Sequence, residues 1–105
     1  MYGLSEKNIK ELTSILASFP HIEEAIIYGS RAKGNYRSGS DVDLSLKGAE
    51  LTYRDVALLD DKLYYSYIPY YFDTNIYSQL TNEQLKEEID RYGKIFYRRE
   101  PAAEG

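Results

Sequence analysis

Two aspartates, Asp41 and Asp43, stand one residue apart in an apolar run. In a β-strand, residues i and i+2 point to the same face, so both carboxylates would project together while Val42, Leu44 and Leu46 face the core. Parallel carboxylates repel each other, so a cation is expected between them. Mg²⁺ suits this role because it takes oxygen ligands, often one or two carboxylates plus substrate phosphates. The spacing therefore predicts a metal site.

A Gly-Ser pair lies upstream of the aspartates, after an apolar run at residues 23–28. Gly29 and Ser30 offer flexible backbone amides and a hydroxyl, which are the groups that build a phosphate cradle. The same Ser30 would also serve as an ordinary N-cap between a strand and a helix, and the two roles are compatible. A short helix over residues 30–35 would point its first amides at an anion. The turn therefore predicts phosphate binding.

Basic residues crowd the segment beside this turn, with Arg31, Lys33 and Arg37 inside seven positions. Arg31 and Lys33 are candidate contacts for a triphosphate, and the alternative is that they are solvated surface charges. Ser40 either bonds phosphate or shapes the turn before the aspartates, and the second role is favoured.

A third aspartate, Asp73, interrupts an apolar and aromatic run at residues 70–76. A lone ionised carboxylate is costly to bury, so a shared metal would offset that cost if this strand pairs beside the second. Asp73 would then join Asp41 and Asp43, and three such carboxylates can hold two metal ions about 3.5–4 Å apart. Alternatively, Asp73 is simply a charge at the end of a strand. Asp41 and Asp43 would then be edge-strand charges of the kind that prevent aggregation.

The elements that must position these residues follow from periodicity, caps and breakers. Apolar residues at helical spacing after an N-cap at Ser5 predict a first helix that ends at Pro20. The other predicted elements are strands at 23–28, 41–46 and 70–76, and helices at 30–35, from Thr52 to about Tyr67, and from a Thr81–Gln84 capping box to about Tyr92. This alternation predicts an α/β fold, or α+β if strand directions mix, with a small mixed sheet of three or more strands flanked by helices.

Length and composition predict one soluble domain at residues 1–97 and a flexible tail at 98–105. The chain has no cysteine and one histidine, His21, which excludes disulfides, thiolate ligands and a multi-histidine metal site. No apolar run approaches the roughly 20 residues of a membrane span, and the first residues lack a signal-peptide core. A cytoplasmic protein is expected. The net charge of −4 argues against long nucleic acids as partners.

Tyrosine is unusually frequent, with 12 among 105 residues. Core positions and a partner-binding surface are both open roles, because tyrosine is favoured at protein interfaces. Base stacking on single-stranded nucleic acid would use the same residues, but the negative charge disfavours it. Five of them form a cluster, at Tyr64, Tyr65, Tyr67, Tyr70 and Tyr71.

The pattern Gly29-Ser30, Gly34, Asp41-Val42-Asp43 and Asp73 resembles the nucleotidyltransferase superfamily that includes DNA polymerase beta. The form GSRAKG…SDVDL is similar to the minimal nucleotidyltransferases, small bacterial and archaeal proteins often paired with a separately encoded HEPN-domain protein. One departure is Lys33, which stands where arginine is common and keeps the charge. The resemblance implies the polymerase beta-like nucleotidyltransferase fold.

The resemblance also implies an activity, the transfer of AMP from ATP to a hydroxyl on a partner HEPN toxin, which is thereby silenced. The reaction would depend on Mg²⁺, with two ions expected. Asp41, Asp43 and Asp73 would be the catalytic metal ligands, and Asp73 would also accept the proton of the incoming hydroxyl. One alternative is an idle module that senses nucleotide or blocks a partner sterically. A weaker one is transfer to a small molecule or an RNA end. The three intact aspartates favour the enzyme, and a homo-oligomer stays possible.

Overall fold

The structure is a computed structural model, and it describes residues 1–100. Along the chain the elements are α1 (Glu6–Ala17), β1 (Glu24–Tyr28), α2 (Ser30–Lys33), β2 (Val42–Lys47), α3 (Tyr53–Tyr64), β3 (Phe72–Ile76), a 3₁₀ turn (Tyr77–Gln79), α4 (Glu83–Tyr92) and β4 (Lys94–Arg98). None of the helices in this range has the length and apolar character that a bilayer crossing requires.

The four strands form one sheet in the order β3-β2-β1-β4. Strand β1 runs antiparallel to both β2 and β4, whereas β2 and β3 are parallel. This mixed sheet, with helices on its faces, confirms the predicted fold class. Two consequences matter for the site: β3 is an edge strand, and it lies directly beside β2.

One face of the sheet carries the main core. Val42, Leu44 and Leu46 are fully buried there, as their alternation with polar residues predicted. Leu12 and Leu16 of α1 belong to the same buried cluster, which also includes residues of α3. Burying each leucine contributes roughly 1.5–3 kcal/mol to folding, so this layer holds β2 rigidly in place.

The opposite face is only partly covered. Ile89 of α4 packs against Ile26 and Tyr28 of β1 in a second, smaller cluster. The polar side chains of β2 and β3 alternate to this same face, because their apolar neighbours point into the main core. Helix α4 therefore borders one side of a polar surface on the sheet.

The boundaries of α3 and α4 differ from prediction. Helix α3 ends at Tyr64, three residues before the predicted end, because the Ser66 hydroxyl donates to the Leu63 carbonyl at 2.7 Å. The N-cap of α4 is Asn82, not Thr81, since the Asn82 side chain accepts from the amides of the second and third helical residues. The predicted N-cap of α1 at Ser5 is confirmed.

Strand β4 was not predicted, and it includes residue 98, where the tail was expected to start. Arg98 is the last residue of β4, and the Arg99 guanidinium donates to the carbonyls of Ala17, Phe19 and Ile22 at 2.8, 2.8 and 3.2 Å. These bonds tie the end of the sheet to the end of α1. Residues 101–105 of the predicted tail lie outside the described residues.

Most of the tyrosine cluster is on the surface. Tyr64, Tyr65, Tyr67 and Tyr71 are 75%, 81%, 86% and 79% exposed. Tyr70 alone among the five packs against the main core. The cluster is therefore a surface feature beside β3.

Candidate functional site

Asp43 and Asp73 are direct partners in the parallel register of β2 and β3. Partners in register point to the same face of a sheet, here the partly covered one. The predicted pairing of the third strand beside the second is confirmed, and with it the placement of Asp73 next to Asp43. Asp73 itself is exposed, because β3 is an edge strand, so it does not carry the burial cost that the sequence suggested.

Asp43 is half-buried in an environment that disfavours its charge. Burial, and then the charges of Asp73, Asp41 and Glu88, raise the pKa of its carboxyl to about 6, against a smaller lowering by Arg31. A carboxylate whose charged form is disfavoured in this way is stabilised strongly by a neighbouring cation. The site is electrostatically prepared for a positive ion.

Asp41 occupies a different position from the one expected. It lies one residue before β2 and is exposed, so it is not a member of the strand. Across residues 1–100, no three histidine or carboxylate side chains are grouped as a ready metal site. The expected convergence of three aspartates on one preformed metal centre is therefore not found.

The donor set nevertheless fits Mg²⁺. This ion keeps several waters and commonly takes only one or two carboxylates, with substrate phosphates completing its six oxygen ligands. Asp43 and Asp73 supply two such carboxylates on adjacent strands. Asp41, at the entrance to β2, is near enough for its charge to raise the pKa of Asp43.

Gly29 connects the phosphate turn to these carboxylates. Its backbone has φ +73° and ψ −155°, a conformation that is open essentially to glycine alone. A Cβ built at residue 29 would collide with Oδ2 of Asp43. The Gly-Ser turn and the Asp43 carboxylate are therefore in contact, which is the juxtaposition that a metal-bound phosphate requires.

Ser30 is the first residue of α2, which is shorter than the predicted 30–35 and is closed by Gly34 at φ +83°. The first amides of a helix have no acceptor within the helix. In this turn they lie next to Gly29 and its neighbouring carboxylate. The predicted N-cap role of Ser30 is wrong, because Gly29 holds the N-cap position without a side-chain cap bond and Ser30 is the first helical residue. Phosphate binding by Ser30 stays a prediction.

Arg31 occupies a structural position. It is 2% exposed, and its Nε and Nη2 donate to the Ser40 carbonyl at 3.0 and 2.7 Å while Nη1 donates to the Tyr2 carbonyl at 2.9 Å. Its guanidinium also stacks 4.3 Å from the ring centre of Tyr70. These bonds occupy Arg31 with protein acceptors. The structure thus indicates that Arg31 fixes the conformation of the turn, and it does not favour the predicted contact between Arg31 and a triphosphate.

Ser40 and Lys33 are also engaged by the protein. The Ser40 hydroxyl accepts from the Arg37 amide at 2.9 Å, which is the turn-shaping role that was favoured. The Lys33 ammonium donates to Glu88 of α4 at 2.6 Å and lies 4.9 Å from the ring centre of Tyr92. Lys33 thereby links α2 to α4 and offsets a carboxylate whose charge acts on Asp43.

A hydrogen-bonded chain behind the carboxylates was missed by the sequence reasoning. The Ser45 hydroxyl donates to Oδ1 of Asn75 at 2.7 Å, and Nδ2 of Asn75 donates to the Tyr28 hydroxyl oxygen at 2.8 Å. Because Asn75 is the donor in this hydrogen bond, the hydroxyl proton of Tyr28 points away from Asn75. The signal was present: Ser45 and Asn75 each lie two residues after a site aspartate and so share its face.

Tyr28 borders the site itself. It is the cross-strand partner of Asp43 on β1. Burial, and then the charges of Asp43 and Asp73, raise the pKa of Tyr28 to about 12, so the hydroxyl stays protonated at neutral pH. It is a hydrogen-bond donor fixed beside two carboxylates.

A family model named Polymerase beta, Nucleotidyltransferase matches residues 10–102 of the sequence. The chain belongs to this family. The resemblance drawn from the Gly-Ser turn and the aspartates is thereby confirmed at the level of the superfamily. No curated protein sequence matches the chain.

Solved structures share the nucleotidyltransferase fold. A toxin–antitoxin crystal structure with AMP-PNP matches with a TM-score of 0.72 and 19% identity, over 88% of this chain and 74% of that chain. The toxin–antitoxin MntA-HepT matches with a TM-score of 0.60 and 14% identity, over 90% and 74%. A Sulfolobus solfataricus protein assigned as a nucleotidyltransferase matches with a TM-score of 0.52 and 26% identity, over 89% and 77%.

The electrostatics predict that Asp43→Asn stabilises the metal-free protein at neutral pH. The folded state raises the pKa of Asp43, so it binds the proton more tightly than the unfolded chain, and wild type loses stability as pH rises between about 4 and 6. Asparagine does not ionise and escapes this loss. After allowance for solvent screening, we expect a gain of about 1 kcal/mol at pH 7.

Urea unfolding in EDTA at about pH 4 and about pH 7 measures this effect. The two proteins should be equally stable at the lower pH and diverge at the higher one. A variant that is less stable than wild type at both values would show that the Asp43 carboxylate has a structural role.

Proposed function

We propose that this chain transfers AMP from ATP to a hydroxyl group of a partner HEPN-domain toxin and acts as the antitoxin of that pair. The observation that carries the proposal is the contact between the glycine turn and an adjacent pair of carboxylates, Gly29 against Asp43 with Asp73 beside it. Family membership supports nucleotidyl transfer. The fold shared with toxin–antitoxin structures, one of them with AMP-PNP, supports the antitoxin role and ATP as substrate.

Asp43 and Asp73 would hold Mg²⁺, with Asp41 as a further oxygen donor at the start of β2. When bound, the ion supplies charge neutralisation at the phosphates and relieves the repulsion that raises the pKa of Asp43. A second ion, as the three aspartates suggested, belongs to the same proposal.

The chain's own groups account for the rest of the reaction. The amides of the Gly29-Ser30 turn bind phosphate oxygens, and Arg31 fixes that turn through the Ser40 carbonyl. Asp73 accepts the proton of the acceptor hydroxyl while the oxygen of that hydroxyl attacks the α-phosphorus of ATP. The bond from the α-phosphorus to the bridging oxygen breaks, and pyrophosphate leaves. Such catalysis consists mostly of positioning and charge stabilisation.

Transfer of AMP, as opposed to phosphate, is tested by the position of the label in ATP. The protein is incubated with Mg²⁺, its encoded HEPN partner, and ATP labelled at either the α- or the γ-phosphate. We expect the α-label on the partner and the γ-label in released pyrophosphate. A γ-label on the partner would mean phosphoryl transfer, and an α-label found only on RNA or small molecules would overturn the proposed acceptor.

Tyr28→Phe is expected to lower kcat for AMP transfer about tenfold with little change in KM for ATP. The variant loses the hydroxyl that Asn75 orients beside Asp43 and Asp73, while its ring still fills the small cluster under α4. Tyr77→Phe is the matched control, because it removes a tyrosine hydroxyl of the same cluster that is bonded to Asp90. Equal losses in both variants would mean that the Tyr28 hydroxyl has no particular role in the reaction.

A further inference from the structure

An open groove lies beside the proposed site, between the end of α3 and the segment that leads into β3. Its volume is about 510 Å³. Its lining is mixed, with apolar residues, tyrosines and one carboxylate. Its main lining residues are Asp60, Leu63, Tyr64, Ile68, Tyr71 and Phe72.

Asp60 gives the groove an unpaired negative charge. Its carboxylate accepts a hydrogen bond from the Thr74 hydroxyl at 2.7 Å, but no lysine or arginine within residues 1–100 forms an ion pair with it. Although the residue is exposed, packing removes enough water from the carboxylate to raise its pKa, and the charges of Asp61 and Asp73 raise it as well. A cation in the groove would satisfy this carboxylate.

The tyrosines provide the second half of a cation site. Tyr64 and Tyr71 are 75% and 79% exposed, and the faces of such rings attract a guanidinium or ammonium group. The same segment already shows this chemistry, since the ring of Tyr70 stacks on the guanidinium of Arg31 at 4.3 Å. An exposed aromatic surface next to a carboxylate is therefore suited to a second, external arginine.

The groove and the proposed active site lie at the same edge strand, β3. The Tyr71 carbonyl accepts from the Val42 amide at 2.9 Å, which extends the pairing of β2 and β3 by one residue. Asp60 in the groove accepts a hydrogen bond from Thr74, the residue after Asp73 on β3, and lies near enough to Asp73 for that charge to raise the pKa of Asp60. A polypeptide seated in the groove would carry its neighbouring residues towards Asp73.

We propose that this groove binds an arginine side chain of the acceptor protein, with the guanidinium against Tyr64 and Tyr71 and its charge paired with Asp60. The inference rests on the proposed function and deepens it, because it assigns a basic residue near the modified hydroxyl as the feature recognised. Arginine is favoured over lysine because its planar group both stacks on rings and forms paired bonds to a carboxylate. RNA bases stack on tyrosines too, but Asp60 repels phosphate.

Direct binding is measured by NMR titration of the ¹⁵N-labelled protein, without ATP or metal, with N-acetyl-arginine amide. N-acetyl-citrulline amide, its neutral isostere, and a short oligoadenylate are run in parallel. We expect arginine amide to shift the resonances of the groove residues and citrulline amide to bind at least about tenfold more weakly. Equal binding of both amides, shifts elsewhere on the protein, or tighter binding of the oligoadenylate in the groove would overturn the assignment.

Two variants carry the test to the transfer reaction. Asp60→Asn, which keeps the shape and the bond to Thr74, and Tyr64→Ala, at an exposed position, should each raise KM for the partner, by about tenfold for Asp60→Asn, with kcat unchanged. Asp61→Asn is the control for charge on the same helix. An unchanged KM in both variants would overturn the groove assignment. Arginine binding in the groove without AMP transfer to any partner would leave the assignment standing and overturn the proposed function.

Discussion

Asp73→Asn is expected to reduce AMP transfer about 10³-fold while ATP binding in the presence of Mg²⁺ changes little. Asp73 is the exposed member of the carboxylate pair and lies on the edge strand, where an acceptor hydroxyl can reach it. Asparagine has the same shape but cannot take the proton. Single-turnover transfer of α-labelled ATP, alongside calorimetric titration of nucleotide, separates the chemical step from binding.

The matched control is Asp61→Asn, which removes the same charge from an exposed position on α3. It should retain wild-type transfer. If Asp73→Asn kept more than about a tenth of the wild-type rate, the proton would be going elsewhere, and Asp73 would be reduced to a metal ligand at most.

Arg31→Ala is expected to lower the free energy of unfolding by about 3 kcal/mol. The substitution leaves the carbonyls of Tyr2 and Ser40 without their donors and removes the group stacked on Tyr70. Equilibrium urea unfolding measures the change. Arg37→Ala is the control, because Arg37 is an exposed residue of the same loop, and its effect should stay within about 0.5 kcal/mol.

Arg31→Lys separates the fixing of the turn from a triphosphate contact. A lysine keeps the charge, but one ammonium on a flexible stem cannot reproduce a planar fork that bonds two separate carbonyls and stacks on a ring. Its stability should therefore remain close to that of Arg31→Ala. If Arg31→Ala were as stable as wild type and had lost ATP binding, Arg31 would be a nucleotide contact, as the sequence suggested.

The carboxylate pair was predictable because it depends on local rules. Alternation along β2 fixes which face Asp43 takes, and the apolar run around Asp73 marks a strand that has to pair with a neighbour. The contact between Gly29 and Asp43 follows from the same hairpin-like return of the chain. The two-residue periodicity of the strands was therefore enough to predict that Asp43 and Asp73 share one face of the sheet.

The role of Arg31 depends on contacts that no local pattern contains. Its hydrogen-bond partner Tyr2 lies 29 residues earlier, and its stacking partner Tyr70 lies 39 residues later. A basic residue after a Gly-Ser turn carries no sign that it will be buried. The position of Asp41 outside β2 was likewise hidden, because a strand end can shift by one residue without changing the alternation.

Strand β4 was missed for a different reason. Its sequence, KIFYR, is short and begins and ends with a charged residue, and only its pairing with β1 makes it a strand. The Arg99 bonds to three carbonyls around the end of α1 were equally invisible, because they join residues about 80 positions apart. Non-local pairing overrides weak local preference at this end of the chain.

AMP transfer to a protein hydroxyl changes the intact mass of the partner, which mass spectrometry measures. The wild-type protein, the proposed HEPN-domain partner, ATP and Mg²⁺ are incubated together. The intact mass of the partner is measured by mass spectrometry, and the modified residue is mapped by fragmentation. We expect the partner to gain one or more adenylyl groups on a hydroxyl side chain, and no gain with Asp73→Asn. A partner of unchanged mass that is inhibited equally by wild type and by Asp73→Asn would rule out AMP transfer and indicate steric antagonism.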